Sequence, residues 1–84
     1  MSAAPTVIAE WPKNERETVR VALDEFNGHS TVNARLWFRA ADGEMRPGKG
    51  LAIGIRHLPA LAAALNEALA VAIERGLIQG DSAN

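Results

Sequence analysis

Between Glu17 and Ile55 apolar and polar residues alternate with period two, and the alternation breaks at Asn27-Gly28 and again at Asp42-Gly43. A period of two sends successive side chains to opposite faces of a strand, so this stretch specifies three amphipathic strands. Asn-Gly accepts the positive φ that a type I′ turn requires, which makes the first break a hairpin. Before it, Val19, Val21 and Leu23 point one way, and Thr18, Arg20, Ala22, Asp24 and Phe26 the other. After it, from Thr31 to Arg39, Val32, Ala34, Leu36 and Phe38 share a face, and Thr31, Asn33, Arg35, Trp37 and Arg39 share its opposite. Beyond the Asp42-Gly43 turn, Gly48 and Gly50 bracket Lys49 in a loop, and Leu51, Ile53 and Ile55 form a last short strand.

Upstream, Thr6 to Trp11 is a short apolar run closed by Pro12 and followed by a polar turn over Lys13 to Arg16. Proline donates nothing to a ladder, which suits an edge strand. Downstream the period changes. Leu58, Leu61, Leu65, Leu69, Ile73 and Leu77 recur at spacings of three and four, the mark of an amphipathic helix. Pro59 suits its first turn, and Gly76 or Gly80 its stop. The expected layout is one α+β domain over residues 1–84, with the sheet over 6–56, the helix over 57–77, and loose ends at 1–5 and 78–84.

A chain of 84 residues buries a modest share of its surface and usually needs a staple. There is no cysteine, which removes disulfides and thiolate metal sites, and His29 and His57 alone are a poor basis for a metal. A partner copy is the staple left. Ala63, Ala64, Ala70 and Val71 widen the helix's apolar surface beyond what one small sheet covers, so Leu65, Leu69 and Ile73 are expected at a homodimer interface. The other reading of those alanines is plain helix propensity at a solvated surface.

Hydrophobic residues make up 48% of the chain and charged residues 23%, which fits a globular protein rather than a disordered one. No apolar run approaches the roughly 18 residues of a membrane span. The start, MSAAPTV, has neither the basic nor the apolar region of a secretory signal. The expected home is the cytoplasm, at the nucleoid in a bacterium, or the nucleus in a eukaryote. Net charge is −1, yet residues 29–56 carry Arg35, Arg39, Arg46, Lys49 and Arg56 against only Asp42 and Glu44. The sheet is basic and the tail acidic.

Arginines and aromatic rings on one sheet are what single-stranded nucleic acid requires, cations for its phosphates and flat rings for its bases. Arg35 and Arg39 flank Trp37 at i±2, and Phe26 follows the face that carries Arg20. An enzyme is not indicated. Ser2 and Ser82 lie in the tails, Asp42 and Glu44 sit on a turn, and no nucleophile has a base at a telling spacing. No catalytic residue, metal ligand or cofactor is expected.

The segments Lys13-Asn14, Glu17-Thr18-Val19-Arg20-Val21, Glu25-Phe26-Asn27-Gly28, Val32-Asn33-Ala34-Arg35 and Gly43-Glu44-Met45-Arg46-Pro47-Gly48-Lys49-Gly50 resemble the positive-cofactor-four family. These are transcriptional coactivator-type proteins, and the resemblance runs over roughly residues 6–76. It implies a curved, four-stranded antiparallel sheet followed by one C-terminal helix, paired into a homodimer. It also implies binding of single-stranded or melted DNA on the concave sheet surface, with little sequence preference, and a link to the transcription machinery. By position, Phe26 and Phe38 resemble the family's stacking aromatics, and Arg35 and Lys49 its basic positions. Asn27 and His29 fall where the family often carries lysines. Lys13, Arg20, Arg39 and Arg46 are further candidate DNA contacts.

For the third strand, resemblance and alternation differ. Resemblance favours Phe38 as the stacking ring, alternation favours Trp37, and the ring that is not the platform belongs to the core. RNA is an alternative strand for the same surface, and a protein-interaction module is the competing class.

Overall fold

The computed structural model describes residues 4–78. Strands β1 (Thr6–Pro12), β2 (Glu17–Phe26), β3 (His29–Arg39) and β4 (Met45–Gly54) form one open antiparallel sheet in sequence order. A single 3-10 turn, Ile55–His57, leads into helix α1 (Leu58–Glu74). The expected α+β arrangement of four strands and one C-terminal helix is present. Of the expected loose ends, 1–5 and 78–84, residues 1–3 and 79–84 lie outside the described residues.

The β2–β3 hairpin sets the register of the whole sheet. Asn27 and Gly28 both take positive φ, 52° and 80°, as the tight turn demands. From that turn every residue pairs without slippage, from Phe26↔His29 to Glu17↔Phe38. Because side chains alternate strictly, this register fixes which residues share a face. Val19, Val21 and Leu23 face Leu36, Ala34 and Val32, as the alternation predicts.

The fourth strand differs from expectation. The Gly48-Lys49-Gly50 segment is not a loop but part of β4, which begins at Met45. The β3–β4 register shifts between Arg35 and Trp37, whose partners are Gly50 and Pro47, so β4 carries one extra residue there. This is a β-bulge, which bends its strand and sharpens the local twist. Ile55 lies in the 3-10 turn rather than in the sheet, and the sheet ends at Gly54 instead of residue 56.

The helix is shorter than the leucine row suggests. It starts at Leu58, with His57 as N-cap and Pro59 in the first turn, and stops at Glu74 rather than Leu77. Gly76 takes φ 75°. Its N–H donates to the Ile73 carbonyl at 3.0 Å, and the Leu77 N–H to the Ala72 carbonyl at 2.8 Å. Those two bonds make the glycine stop of a Schellman motif.

Helix α1 does not close over its own sheet. Its main contact is with the 3-10 turn beside it, and none of its residues is buried. Among the described residues the buried apolar side chains are Ala22 and Val32, one on each sheet face. Leu65 is 60% exposed and Leu69 48%. One copy of the chain therefore leaves its helix row exposed, together with Trp11 and Leu51 on the valine–leucine face of its sheet.

Candidate functional site

The register lines up residues in rows across the other sheet face. Thr18, Trp37 and Pro47 form one row, and Glu10, Arg20, Arg35 and Gly50 the next. Val7, Ala22, Asn33 and Ala52 follow, then Asp24, Thr31 and Gly54, and last Phe26 with His29. Small residues in the middle rows leave a hollow of about 530 Å³ lined by Arg20, Ala22, Asp24, Asn33, Arg35 and Trp37, among others.

Two of the predicted cations meet in this hollow, and they are held differently. The Arg20 guanidinium carbon lies over the Trp37 ring, 4.2 Å from its centroid. Its Nε donates to Glu10 Oε1 at 3.0 Å. Arg35 has no carboxylate partner among the described residues, and its Nη1 donates to the Gly48 carbonyl at 3.3 Å. A cation over indole adds about 0.5–1 kcal/mol at an exposed site and more when desolvated. The indole N–H of Trp37 is buried and finds no acceptor among the described residues.

The aromatic rings separate by face. Trp37 lies on the arginine face, where alternation puts it, between Thr18 and Pro47. Phe38 lies on the opposite face, paired with Glu17 and Arg46, beside Asn14, Glu15 and Arg16, with its ring against Gly48. The expectation that the ring left out of the platform is core fails, because Phe38 remains 38% exposed in a shallow hollow. It lies one residue from the end of β3, on a face over which α1 does not close. Phe26 is 71% exposed at the hairpin end, so it is not packed on its turn.

The remaining predicted cations do not line the hollow. Lys49 sits at the bulge of β4, exposed and without an ion-pair partner among the described residues. His29 is exposed opposite Phe26. Three others serve turns instead of the hollow. Arg39 Nη1 donates to the Gly43 carbonyl at 2.9 Å, Arg46 pairs with Asp42 at 2.7 Å, and Lys13 pairs with Glu17 at 3.3 Å. Asn14 also donates to Glu17 Oε1 at 2.9 Å. These bonds to the charged form, that of Asn14 first and then that of Lys13, hold the Glu17 carboxyl below the ordinary glutamate range.

Sequence reasoning missed Glu10, Asp24 and Asn33 as parts of the site. Asp24 and Asn33 stood on the arginine face by alternation, and that signal was there to use. Glu10 had no such signal, because the β1–β2 register shifts between Val7 and Ala9. No group of three or more metal-ligating side chains occurs among the described residues. No helix among them is long and apolar enough to cross a membrane.

Among protein families, the one described as Transcriptional Coactivator p15 (PC4) matches residues 13–64, from the first turn into α1. Among solved structures, the chain is similar to a PC4 homologue from Burkholderia pseudomallei. The identity is 24% over 77% of this chain and 89% of that one, with a TM-score of 0.67. It is also similar to the bacteriophage T5 homologue of the eukaryotic transcription coactivator PC4, a protein implicated in recombination-dependent DNA replication. There the identity is 22% over 89% of this chain and 84% of that one, with a TM-score of 0.65. At these identities the likeness is one of fold. Comparison with curated proteins finds no match.

Proposed function

The chain belongs to the transcriptional coactivator p15 (PC4) family, and from that premise we propose that it binds single-stranded or melted DNA with little sequence preference. On this reading it works as a homodimer, as a transcription cofactor or in other DNA transactions. Its partners are the strand, a second copy of itself and the transcription machinery.

One observation carries the reading. Arg20, Arg35 and Trp37 line a single hollow on one sheet face, and the exposed Phe26 stands at the far end of that same face. Trp37 sits opposite Thr18, eight residues along β2 from Phe26, which is about 27 Å at the usual strand rise. A strand laid between them meets arginine for its phosphates and rings for its bases. Every base has a π-face, so stacking of this kind tolerates any sequence.

The dimer is supported by what one chain leaves uncovered. Leu65, Leu69 and Ile73 stay exposed on α1 while Trp11 and Leu51 stay exposed on the second sheet face. At about 25 cal/mol per Å² of apolar area removed from water, joining such faces stabilises both.

The test is fluorescence anisotropy with a labelled single strand and a duplex of equal length, across a range of salt. Single strand should bind more tightly, with an affinity that falls steeply as salt rises. Equal affinity for blunt duplex would reduce the interaction to plain electrostatics. Failure of both at low salt would replace this reading with a protein partner for the same face.

A further inference from the structure

Arg20 and Arg35 are cross-strand partners on one face, where like charges directly opposite destabilise a sheet. The structure resolves this by neutralising one of them. Glu10 takes Arg20 at 3.0 Å, and nothing of opposite charge takes Arg35 among the described residues. The charge of Arg20 is thus answered before any ligand arrives, and its side chain is only 24% exposed. What Arg20 still brings to the hollow is a flat guanidinium, held over the Trp37 ring at 4.2 Å. A base reaches that side of the indole only by displacing it.

We propose that Arg20 is a base-stacking residue and not a phosphate contact. The inference rests on the reading that this face binds single-stranded DNA, and it assigns a division of labour within it. A nucleobase lies on the guanidinium of Arg20, which lies on Trp37, giving a base–guanidinium–indole stack. Arginine planes stack on unpaired bases as aromatic rings do. Glu10 positions the arginine from the neighbouring strand. Arg35, whose charge remains unanswered, takes the phosphate.

Two substitutions separate plane from charge. Arg20→Lys keeps the charge and the reach to Glu10 but loses the plane. Arg20→Tyr keeps a plane over Trp37 and loses the charge, on a strand that suits tyrosine. In anisotropy titrations on a labelled single strand, Arg20→Lys should weaken binding about tenfold or more, the effect of losing a stacked base. Its slope of log affinity against log salt should match the wild type. Arg20→Tyr should bind within a few-fold of the wild type, with that slope also unchanged.

Wild-type affinity in Arg20→Lys would overturn the proposal, as would a slope flattened by about 0.7 in Arg20→Tyr, the signature of one lost phosphate contact. Thermal melts accompany both variants, and should Arg20→Tyr fail to fold, Arg20→Lys decides alone. A wild-type protein that binds no single strand overturns the functional reading itself. Binding by the wild type with an indifferent Arg20→Lys overturns only the stack.

Discussion

Gly50 lies so close to Arg35 across the β3–β4 pair that a Cβ on it would fall on the Cβ of the arginine. The same added atom would sit 2.6 Å from the Ala34 carbonyl oxygen, and backbone cannot swing aside as a side-chain tip can. Two residues away the demand disappears. A Cβ at Gly48 would meet the Leu36 carbonyl at 3.4 Å and Phe38 at 3.5 Å, near ordinary contact. Gly50→Ala should therefore cost at or above the upper end of the ~1–3 kcal/mol typical of overpacking. Gly48→Ala should stay within about 1 kcal/mol of the wild type, since it also restricts the unfolded chain. Urea unfolding of both variants checks the contrast, and equal losses would contradict the close approach.

These glycines also mark where the sequence stopped being legible. Alternation was enough to group Arg20 with Phe26 on one strand and Arg35 with Trp37 on the next, and the two-residue hairpin, which leaves the register no freedom, brings Arg20 opposite Arg35. A bulge adds a residue that counting by twos does not see. The Gly48-Lys49-Gly50 segment consequently suggests a loop in sequence and is strand in the fold. The shift between Val7 and Ala9 hides Glu10 in the same way. For the helix, the leucine period gave its existence and its apolar side, but periodicity says nothing of what covers that side. That α1 leaves its own sheet bare follows from the chain's path through the 3-10 turn.

Arg35 and Lys49 are expected to act through charge alone. Replacing either by Ala should flatten the log–log salt dependence of single-strand binding by about 0.7, one phosphate contact each. A reduced affinity with an unaltered slope would assign that residue to the fold instead.

The exposed row on α1 predicts a dimer in solution. Sedimentation at micromolar concentration should give twice the mass of the chain. Leu69→Asp should give a monomer or an unfolded chain, because an unpaired carboxylate would enter an apolar contact. A wild-type monomer that melts cooperatively would remove both the dimer and any groove shared between copies.

Glu17 gives the turn between β1 and β2 a pH dependence. Asn14 and Lys13 favour its ionised form, so its folded-state pKa lies below its unfolded value. The contribution is therefore complete above the ordinary glutamate range and is lost as pH falls through the lowered folded value. Carboxyl carbon shifts followed by NMR should show Glu17 titrating below the ordinary glutamate range. Asn14→Ala should move Glu17 back up, and an unmoved titration would refute the assignment of the turn's bonds.

The three rings should separate by what they lose. Phe26 is exposed and packs on little, so Phe26→Ala should leave the melting temperature nearly unchanged while weakening binding by about 1–3 kcal/mol for a stacked base. Phe38 faces away from Arg20 and Arg35, beside Glu17 and Gly48. Its replacement by Ala should lower stability, by less than the ~3–5 kcal/mol of a buried ring, and leave affinity alone. Trp37→Ala should lower both, because the ring is half-buried and also supports the Arg20 guanidinium that lines the hollow. Melts and titrations on the three variants read this pattern directly. An affinity loss in Phe38→Ala equal to that in Trp37→Ala would mean that the strand wraps both faces of the sheet, and one hollow would no longer account for binding.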